Sequence, residues 1–278
     1  MVHPGQRRTK HMWIIDINRK LSKHSESFFA HSANTISDNY PSIVGRFAGN
    51  GQVIVDVGGG AQCAFAEECP GSHIIAVDIS PSELERNRQV SDRRVADVTE
   101  RIPLPDNSAD IVASRFVLEH LRGVGRFVEE AYRVLKPGGI FITLFPNKNA
   151  LFSLINRAIP VSFARKVAYA FKDGAAEYGV FPAYYEYCSP RAFRRLCAEK
   201  GFTSVDVEVM YFQSSYFYFF FPLALASLCY EWIISRLRLM SLSAHVLVCA
   251  RRPAKDRQAV GPEGTASLAS SPQLRSLP

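Results

Sequence analysis

The chain has 278 residues, a net charge of +7 and an apolar fraction of 47%, enough to bury the core of one α/β domain with insertions. Its six cysteines (Cys63, Cys69, Cys188, Cys197, Cys229 and Cys249) form no CxxC pair and no zinc-ligand spacing; this excludes a disulfide scaffold and a zinc module and fits the reduced thiols of a cytosolic protein. The basic balance favours anionic partners (a membrane surface, a phosphorylated substrate or nucleic acid), while the scatter of the basic residues is equally compatible with simple solubility.

Residues 1–50 are polar and mixed and are read as an N-terminal helical segment. Arg7, Arg8, Lys10 and His11 precede a short apolar run at 13–17, which Asp16 interrupts and Asn18, Arg19 and Lys20 end. No secretory signal is expected from such a segment, because it lacks an unbroken apolar core. A helix is predicted over 33–47, leading into the first strand. From 51 to 212, strand-like and helix-like segments alternate, as in a parallel α/β sheet. Short apolar runs bounded by turn residues predict strands at 53–57, 73–77, near 93–96, 110–113, 139–145, 204–212 and 244–250. Helices are predicted at 61–69, 82–89, 125–135 and 190–200. Ser189 before Pro190 supplies an N-cap and a first-turn proline to the last of these. Lys136, Pro137, Gly138 and Gly139 end a helix and turn into a strand. The tail, 252–278, is rich in Pro, Ser, Gly and Ala and is predicted to be disordered. No internal repeat is present in the sequence.

The chemistry-bearing residues follow the strands. The first strand runs into Asp56, Val57, Gly58, Gly59 and Gly60. Glycines at a strand-to-helix turn let a ligand approach the backbone, and Gly58 and Gly60 are the candidates for that role. A glycine turn without a ligand has the same pattern. Asp78 ends the second strand about twenty residues on, where a carboxylate can accept bonds from two ribose hydroxyls. Asp97 follows the third strand, where a side-chain oxygen can meet an adenine amine. Each acid alone could be a solvated strand end or a helix cap. Three in succession at the carboxyl ends of successive strands mark the edge at which open α/β sheets bind ligands.

The order VIVDVGGG, IIAVDIS, VADVTERIPLPDNSADIVASRFVLEHL and RFVEEAYRVLKPGGIFITLFPN closely resembles the class I, small-molecule (type 11) methyltransferases, the group that includes ubiquinone- and menaquinone-type methylases. The resemblance covers about residues 50–147 and the last two strands. It implies a Rossmann-like seven-stranded α/β sheet with helices on both faces, with a methyltransferase domain over 51–251, and S-adenosyl-L-methionine as cofactor. It further implies that Asp56, Gly58 and Gly60 hold the methionine end, Asp78 the ribose with Ile79 against the adenine, and Asp97 and Val98 the adenine ring, with Ser114 and Arg115 beneath the sulfonium. Gln62 stands where the family usually has a third glycine, which bears on cofactor affinity. A nicotinamide-binding protein would want glycine or alanine near Cys63 and a different second half. Nucleic-acid methylation is not expected: no Asn/Asp-Pro-Pro-aromatic motif follows the fourth strand, and there is no basic-aromatic platform.

Two insertions reach the ligand edge. The first, 147–189, carries Phe152, Phe163, Tyr169 and Phe171 with Arg157, Arg165, Lys166 and Lys172, and ends in Tyr184, Tyr185, Glu186 and Tyr187. It is expected to be either a helical lid or an ordinary amphipathic helix. The second, 213–243, holds six aromatics in a row, Tyr216 to Phe221, then Pro222 and a helix predicted over 223–240. Ser227, Glu231, Ser235 and Arg238 fall on one narrow stripe of that helix, and the remainder is apolar. Because the strands before and after it should pair in one sheet, both ends stay on one side. The segment therefore lies on a membrane surface, enters and returns, or packs on protein. An apolar surface at that edge suits a small or lipid-linked acceptor. His120 is the candidate base for a hydroxyl acceptor; alternatively Glu119 and His120 cap the next helix. Tyr184, Tyr185 and Tyr187 are alternative acceptor contacts, and no metal cluster is visible. The expected activity is methyl transfer, at oxygen, by a cytoplasmic protein that can be peripheral on a membrane. The competing expectation is a non-catalytic, membrane-associated partner that keeps the cofactor fold.

Overall fold

The computed structural model describes residues 4–26, 36–158 and 182–254. Its strands are β1 (Val53–Val57), β2 (His73–Asp78), β3 (Asp92–Val95), β4 (Ala109–Arg115), β5 (Leu135–Pro146), β6 (Thr203–Met210) and β7 (His245–Arg251). They form one sheet of order β3-β2-β1-β4-β5-β7-β6. β1 to β5 pair in parallel, and β7 runs antiparallel between β5 and β6. The strand order reverses between β1 and β4, and the carboxyl ends on either side of that switch open a crevice.

Side-chain alternation builds one core on each face. Val55, Val57, Val112, Phe141, Phe145, Val246 and Val248 point to one face, and Ile54, Ile111, Ala113, Ile142, Leu144 and Leu247 to the other. Being covered on both sides explains why these strands read as continuous apolar runs. The helices are α1 (Pro4–Glu26), α2 (Ile36–Gly45), α3 (Pro81–Arg86), α4 (Val124–Val134), α5 (Leu151–Ala158), α6 (Pro190–Glu199) and α7 (Phe221–Arg236). α4 buries Val124, Phe127, Val128, Ala131 and Val134, the spacing of one helical stripe. Phe127 meets Phe141 edge-on with centroids 5.6 Å apart, and Phe193 of α6 meets Phe145 at 4.8 Å. On the opposite face, Tyr40, Ile43 and Val44 of α2 close the second core.

Several elements depart from expectation. Residues 61–69 form turns, not a helix. Bonds from Glu68 N to Phe65 O and from Cys69 N to Ala66 O span three residues, and Pro70 bars the preceding residue from continuing a helix. The Lys136–Gly139 turn is absorbed into β5, which starts directly after α4 as a bulge where the β4 register jumps between Ala109 and Ile111. Gly138 sits there with φ +84°. Residues 33–35 of the helix predicted over 33–47 lie outside the described residues, as do 159–181 of the first insertion and nearly all of the predicted tail. α1, a 23-residue helix, lies in the N-terminal segment read as helical, ahead of the one helix given bounds there. It docks on α7: Asn18 Oδ1 accepts from Phe221 N at 2.8 Å, and the Tyr218 hydroxyl donates to Glu26.

α7 is built inside out. Ser227 and Glu231 of the polar stripe face inward and are buried, whereas Leu225, Cys229, Trp232 and Ile233 face outward. The buried pair is joined by a bond from Ser227 Oγ to Glu231 Oε1 at 2.8 Å. Burial pushes the Glu231 carboxyl up to about 7, and hydrogen bonds from Ser227 and from the Gln213 backbone pull the other way. In the unfolded chain the same group titrates near 4.3. The folded state therefore binds more protons between those values, so stability falls as pH rises through the window and the loss is complete above it. Glu231→Gln should lose less stability than the wild type between about pH 5 and pH 8. At the upper end it should be more stable by about 1–3 kcal/mol. Urea melts of both proteins at the two pH values test this; parallel pH profiles would remove Glu231 as the source.

Candidate functional site

The crevice is assembled from three strand ends. β1 passes into Gly58, which has φ +73°, and an added Cβ there would lie 2.2 Å from Val117 Cγ2. At Gly59 a Cβ would fall 2.9 Å from Ala76 Cβ and 3.0 Å from Asp56 Oδ2. The glycines thus let the loop pack down on β2 and on the segment after β4. Two polar side chains fasten the loop. Asp78 Oδ2 accepts from Gly60 N at 3.1 Å, while its Oδ1 accepts from Ser80 N at 2.8 Å. Asn87 donates to Gly59 O at 3.0 Å and to Gly60 O at 3.2 Å. Ser80 also caps α3 by accepting from Glu83 N.

Above the loop lies a cavity of about 510 Å³, within the range of small-molecule sites. Of the sequence-predicted residues, Gly58, Asp78, Ile79, Asp97, Val98, Arg115 and His120 line it. Asp56, Gly60 and Ser114 stand behind the wall. Asp56 is buried under the loop; burial raises its carboxyl to about 7, with a hydrogen bond from Cys63 and the charge of Arg115 opposing. Ser114 Oγ and Thr143 Oγ1 lie 2.8 Å apart, linking β4 to β5. Gly60 touches the site through its bond to Asp78. Gln62 is exposed.

The lining fits the cofactor implied by the sequence. Ile79 is 62% exposed at the rim, an apolar platform of the kind an adenine ring covers. Asp78 and Asp97 present carboxylate oxygens on the same edge. Asp97 Oδ1 is oriented by Thr99, whose N and Oγ1 donate to it at 2.8 and 2.6 Å. The glycine cradle keeps a side chain from filling the approach to the backbone. Among the described residues no cluster of three potential metal ligands occurs.

His120 sits in a single 3-10 turn, Leu118–His120, at the opposite wall. Its Nδ1 meets Pro182 O at 2.9 Å. A carbonyl can only accept, so Nδ1 carries the proton and Nε2 is the basic nitrogen. Nε2 lies 3.8 Å from Glu119 Oε1, and burial raises the Glu119 carboxyl to about 8. The alternative role of this pair, capping the next helix, is not observed. Gly123 caps α4 with φ +94°, and its N–H goes to Glu186 Oε2 at 2.9 Å. Tyr184 also lines the cavity, under the Arg122 guanidinium at 4.3 Å. Sequence reasoning missed Asn87, Thr99 and Phe116. Phe116 lines the cavity with φ +57°, a left-handed conformation that is costly for an aromatic residue.

The methyltransferase-domain family model matches residues 55–143, the segment that runs from β1 through β5. Over 47 residues the chain is 49% identical to a Mycolicibacterium smegmatis protein named "Probable S-adenosylmethionine-dependent methyltransferase"; the match takes in 17% of this chain and 18% of the relative. It is 25% identical to a demethylmenaquinone methyltransferase of Chlorobaculum tepidum, across 69% of this chain and 85% of the relative. Among solved structures, an S-adenosylmethionine-dependent methyltransferase from Archaeoglobus fulgidus superposes with a TM-score of 0.53 at 18% identity. That match covers 78% of this chain and 92% of the other, and shows the shared fold.

The loop contact at Gly58 yields a direct test. Gly58→Ala must relieve a 2.2 Å overlap and adopt a left-handed backbone, a loss of about 2 kcal/mol or more. Val117→Ala, in the same chain, removes the clashing methyl and should restore part of that loss. Denaturant midpoints of the single and double variants decide it; an unchanged midpoint for Gly58→Ala would show that the loop has room to spare.

Proposed function

Since the chain carries a class I S-adenosylmethionine-dependent methyltransferase domain of the type 11 group, we propose that it methylates a hydroxyl oxygen of a small, lipid-linked acceptor at a membrane surface. The cofactor, when bound, supplies an electrophilic methyl group on a sulfonium. In this reading Asp78 receives the ribose hydroxyls, Ile79 and Val98 cover the adenine, and Asp97 accepts from its amine. Gly58 and Gly60 leave room for the methionine end, with Asp56 supporting them from below. Ser114 and Arg115 lie under the sulfonium side. His120 Nε2 would take the proton lost by the acceptor hydroxyl as its oxygen bonds to the methyl carbon and the carbon–sulfur bond breaks, the neutral thioether leaving. Positioning in line supplies the remaining rate gain.

The outward face of α7 carries the membrane part of the reading. Trp232 is 43% exposed and Leu237, just past the helix, 64%, beside Leu225 and Ile233. The docked α1 adds Trp13, 66% exposed, with Ile17 and Leu21 at successive four-residue steps. Burying each such side chain is worth roughly 1.5–3 kcal/mol, so a surface of this kind favours an apolar cover. Arg19, Lys20, Lys23, Arg236 and Arg238 lie on the same two helices and the turn after them, and each cation near an anionic surface adds about 1 kcal/mol. Among the described residues no helix is long and apolar enough to cross a membrane, and both ends of the segment are tied into the sheet. These features support a helix pair that lies on the bilayer. The relative named as a demethylmenaquinone methyltransferase supports a small-molecule acceptor.

Incubation with radiolabelled S-adenosylmethionine and separated lipid and aqueous extracts should put label into the lipid fraction. His120→Ala should lower that transfer by about a hundredfold or more while leaving cofactor affinity unchanged. Full turnover by the variant returns His120 to a structural role, and cofactor binding without transfer to any extract favours a non-catalytic partner. In flotation, the intact protein should rise with anionic vesicles, and a version with 216–240 replaced by a Gly-Ser linker should stay behind. A monomer that ignores vesicles removes the membrane from the proposal.

A further inference from the structure

Outside the cofactor cavity, several buried polar side chains among the described residues keep an atom without a protein partner, His245 and Glu119 among them. His245, the first residue of β7, is 4% exposed and its Nδ1 has no partner. Glu119 is 6% exposed and its Oε2 has none. A buried polar atom left unpaired costs about 1–3 kcal/mol, so such atoms call for a reason. β7 itself is anchored through its backbone, with His245 opposite Pro146 on β5 and Met210 on β6.

The surroundings of His245 are aromatic. Phe116 meets its ring edge-on at 5.3 Å, Phe152 lies at 5.5 Å, and Tyr216 lies at 6.3 Å with its hydroxyl 3.5 Å from His245 Nε2. Phe152 and Tyr216 stack on each other at 4.4 Å and 15°. These residues come from the end of β4, from α5, from the turn before α7 and from β7, and they connect two surfaces. Phe116 is a wall of the cofactor cavity. Tyr216 is half exposed among the outward-facing aromatics Phe219 and Phe220. Desolvation lowers the His245 imidazole to about 4, so near neutral pH it is an uncharged hydrogen-bonding group at the base of an aromatic box.

We infer that this box is the acceptor subsite: the apolar acceptor enters past Tyr216 and Phe152, His245 Nδ1 receives a hydrogen bond from, or gives one to, its oxygen-bearing end, and Phe116, which touches both His245 and the cofactor cavity, stands where that end meets the cavity. The inference rests on the methyl-transfer reading and adds to it a positioning residue and an entry side. It selects an apolar acceptor with an oxygen at its tip, because aromatic rings surround an imidazole whose Nδ1 has no protein partner. The left-handed backbone of Phe116 puts a sterically costly residue at that junction, where strain is commonly kept for function.

The test uses two probes of nearly equal shape, p-cresol and p-xylene, which differ by a hydroxyl in place of a methyl. Protein with 15N-labelled histidine is first saturated with S-adenosylmethionine, and the ring-nitrogen signals of His245 are identified as those missing in His245→Phe. p-Cresol should shift the His245 signals and p-xylene should not. In His245→Phe, p-cresol affinity should fall about fivefold, the loss of one hydrogen bond, with p-xylene and cofactor affinities unchanged. His245→Gln, which keeps a polar end, serves if the phenylalanine variant fails to fold and should retain more p-cresol affinity than His245→Ala. Identical behaviour of the two probes, or p-cresol shifts confined to other histidines, overturns the subsite. Failure of S-adenosylmethionine to bind the wild-type protein would instead overturn the methyltransferase reading on which it rests.

Discussion

The pairing of β7 with β5, from Ile140 opposite Arg251 to Pro146 opposite His245, constrains everything built at the ligand edge. Because β7 runs antiparallel, it begins where β5 ends, and β6 ends beside it. The chain between Met210 and His245 must therefore leave and return at the carboxyl edge of the sheet, next to the cavity. Asn147 closes this junction. Its N–H goes to Ala244 O at 2.8 Å, and its buried Nδ2 donates to Ser241 O and Ser243 Oγ at 3.1 Å. At the opposite end of the strand, Arg252 Nη1 donates to Leu135 O at 2.6 Å and Tyr132 O at 2.9 Å, with its guanidinium over the Tyr132 ring. One strand pair is thus pinned at both ends by side-chain donors, and the guanidinium bonds at the Arg252 end belong to the stronger, charge-assisted class.

With the edge held, polar groups do the fine placement and apolar groups supply the mass. Asp78 and Asn87 hold the glycine loop by its backbone. Glu231 ties an outward-turned helix to the turn that precedes it, through Ser227 and the Gln213 backbone. These are sites where an interior charge would be expensive, and burial answers by holding Glu231, Glu119 and Asp56 protonated to higher pH. The inward face of α7 buries this polar knot together with Ala224, Leu228 and Ile234, and the outward face carries Leu225, Trp232 and Ile233.

The sheet was legible because its signals are local. Alternation at Ile54 and Val55, or at Phe141 and Ile142, needs only neighbours in the chain, and the seven strands fall within a few residues of where the apolar runs lie. Asp78, Asp97 and His120 were legible as candidates because each lies at or after the end of a strand, and Ile79 through the family resemblance. What escaped depends on approach from a distance. Phe116 and His245 are 129 positions apart in sequence and no pattern joins them. Asn87 matters through a loop nearly thirty residues away. The 61–69 segment has helical composition, but Pro70 and the short span to β2 override it. The bounds of α1 within the N-terminal helical segment escaped because its apolar residues, Trp13, Ile17 and Leu21, look outward instead of toward a core, so the usual link between an apolar stripe and burial fails.

The cysteines follow the same inside-out logic. Cys63, Cys69, Cys188, Cys197 and Cys249 are buried, and desolvation keeps their thiols protonated; since the thiolate is the reactive form, they are poor targets for oxidants and alkylating reagents. Cys229 is exposed, on the outward face of α7 among Leu225, Trp232 and Ile233. The native chain thus carries a thiol that a fluorophore or spin label can reach selectively, on the surface whose surroundings such a reporter would sense.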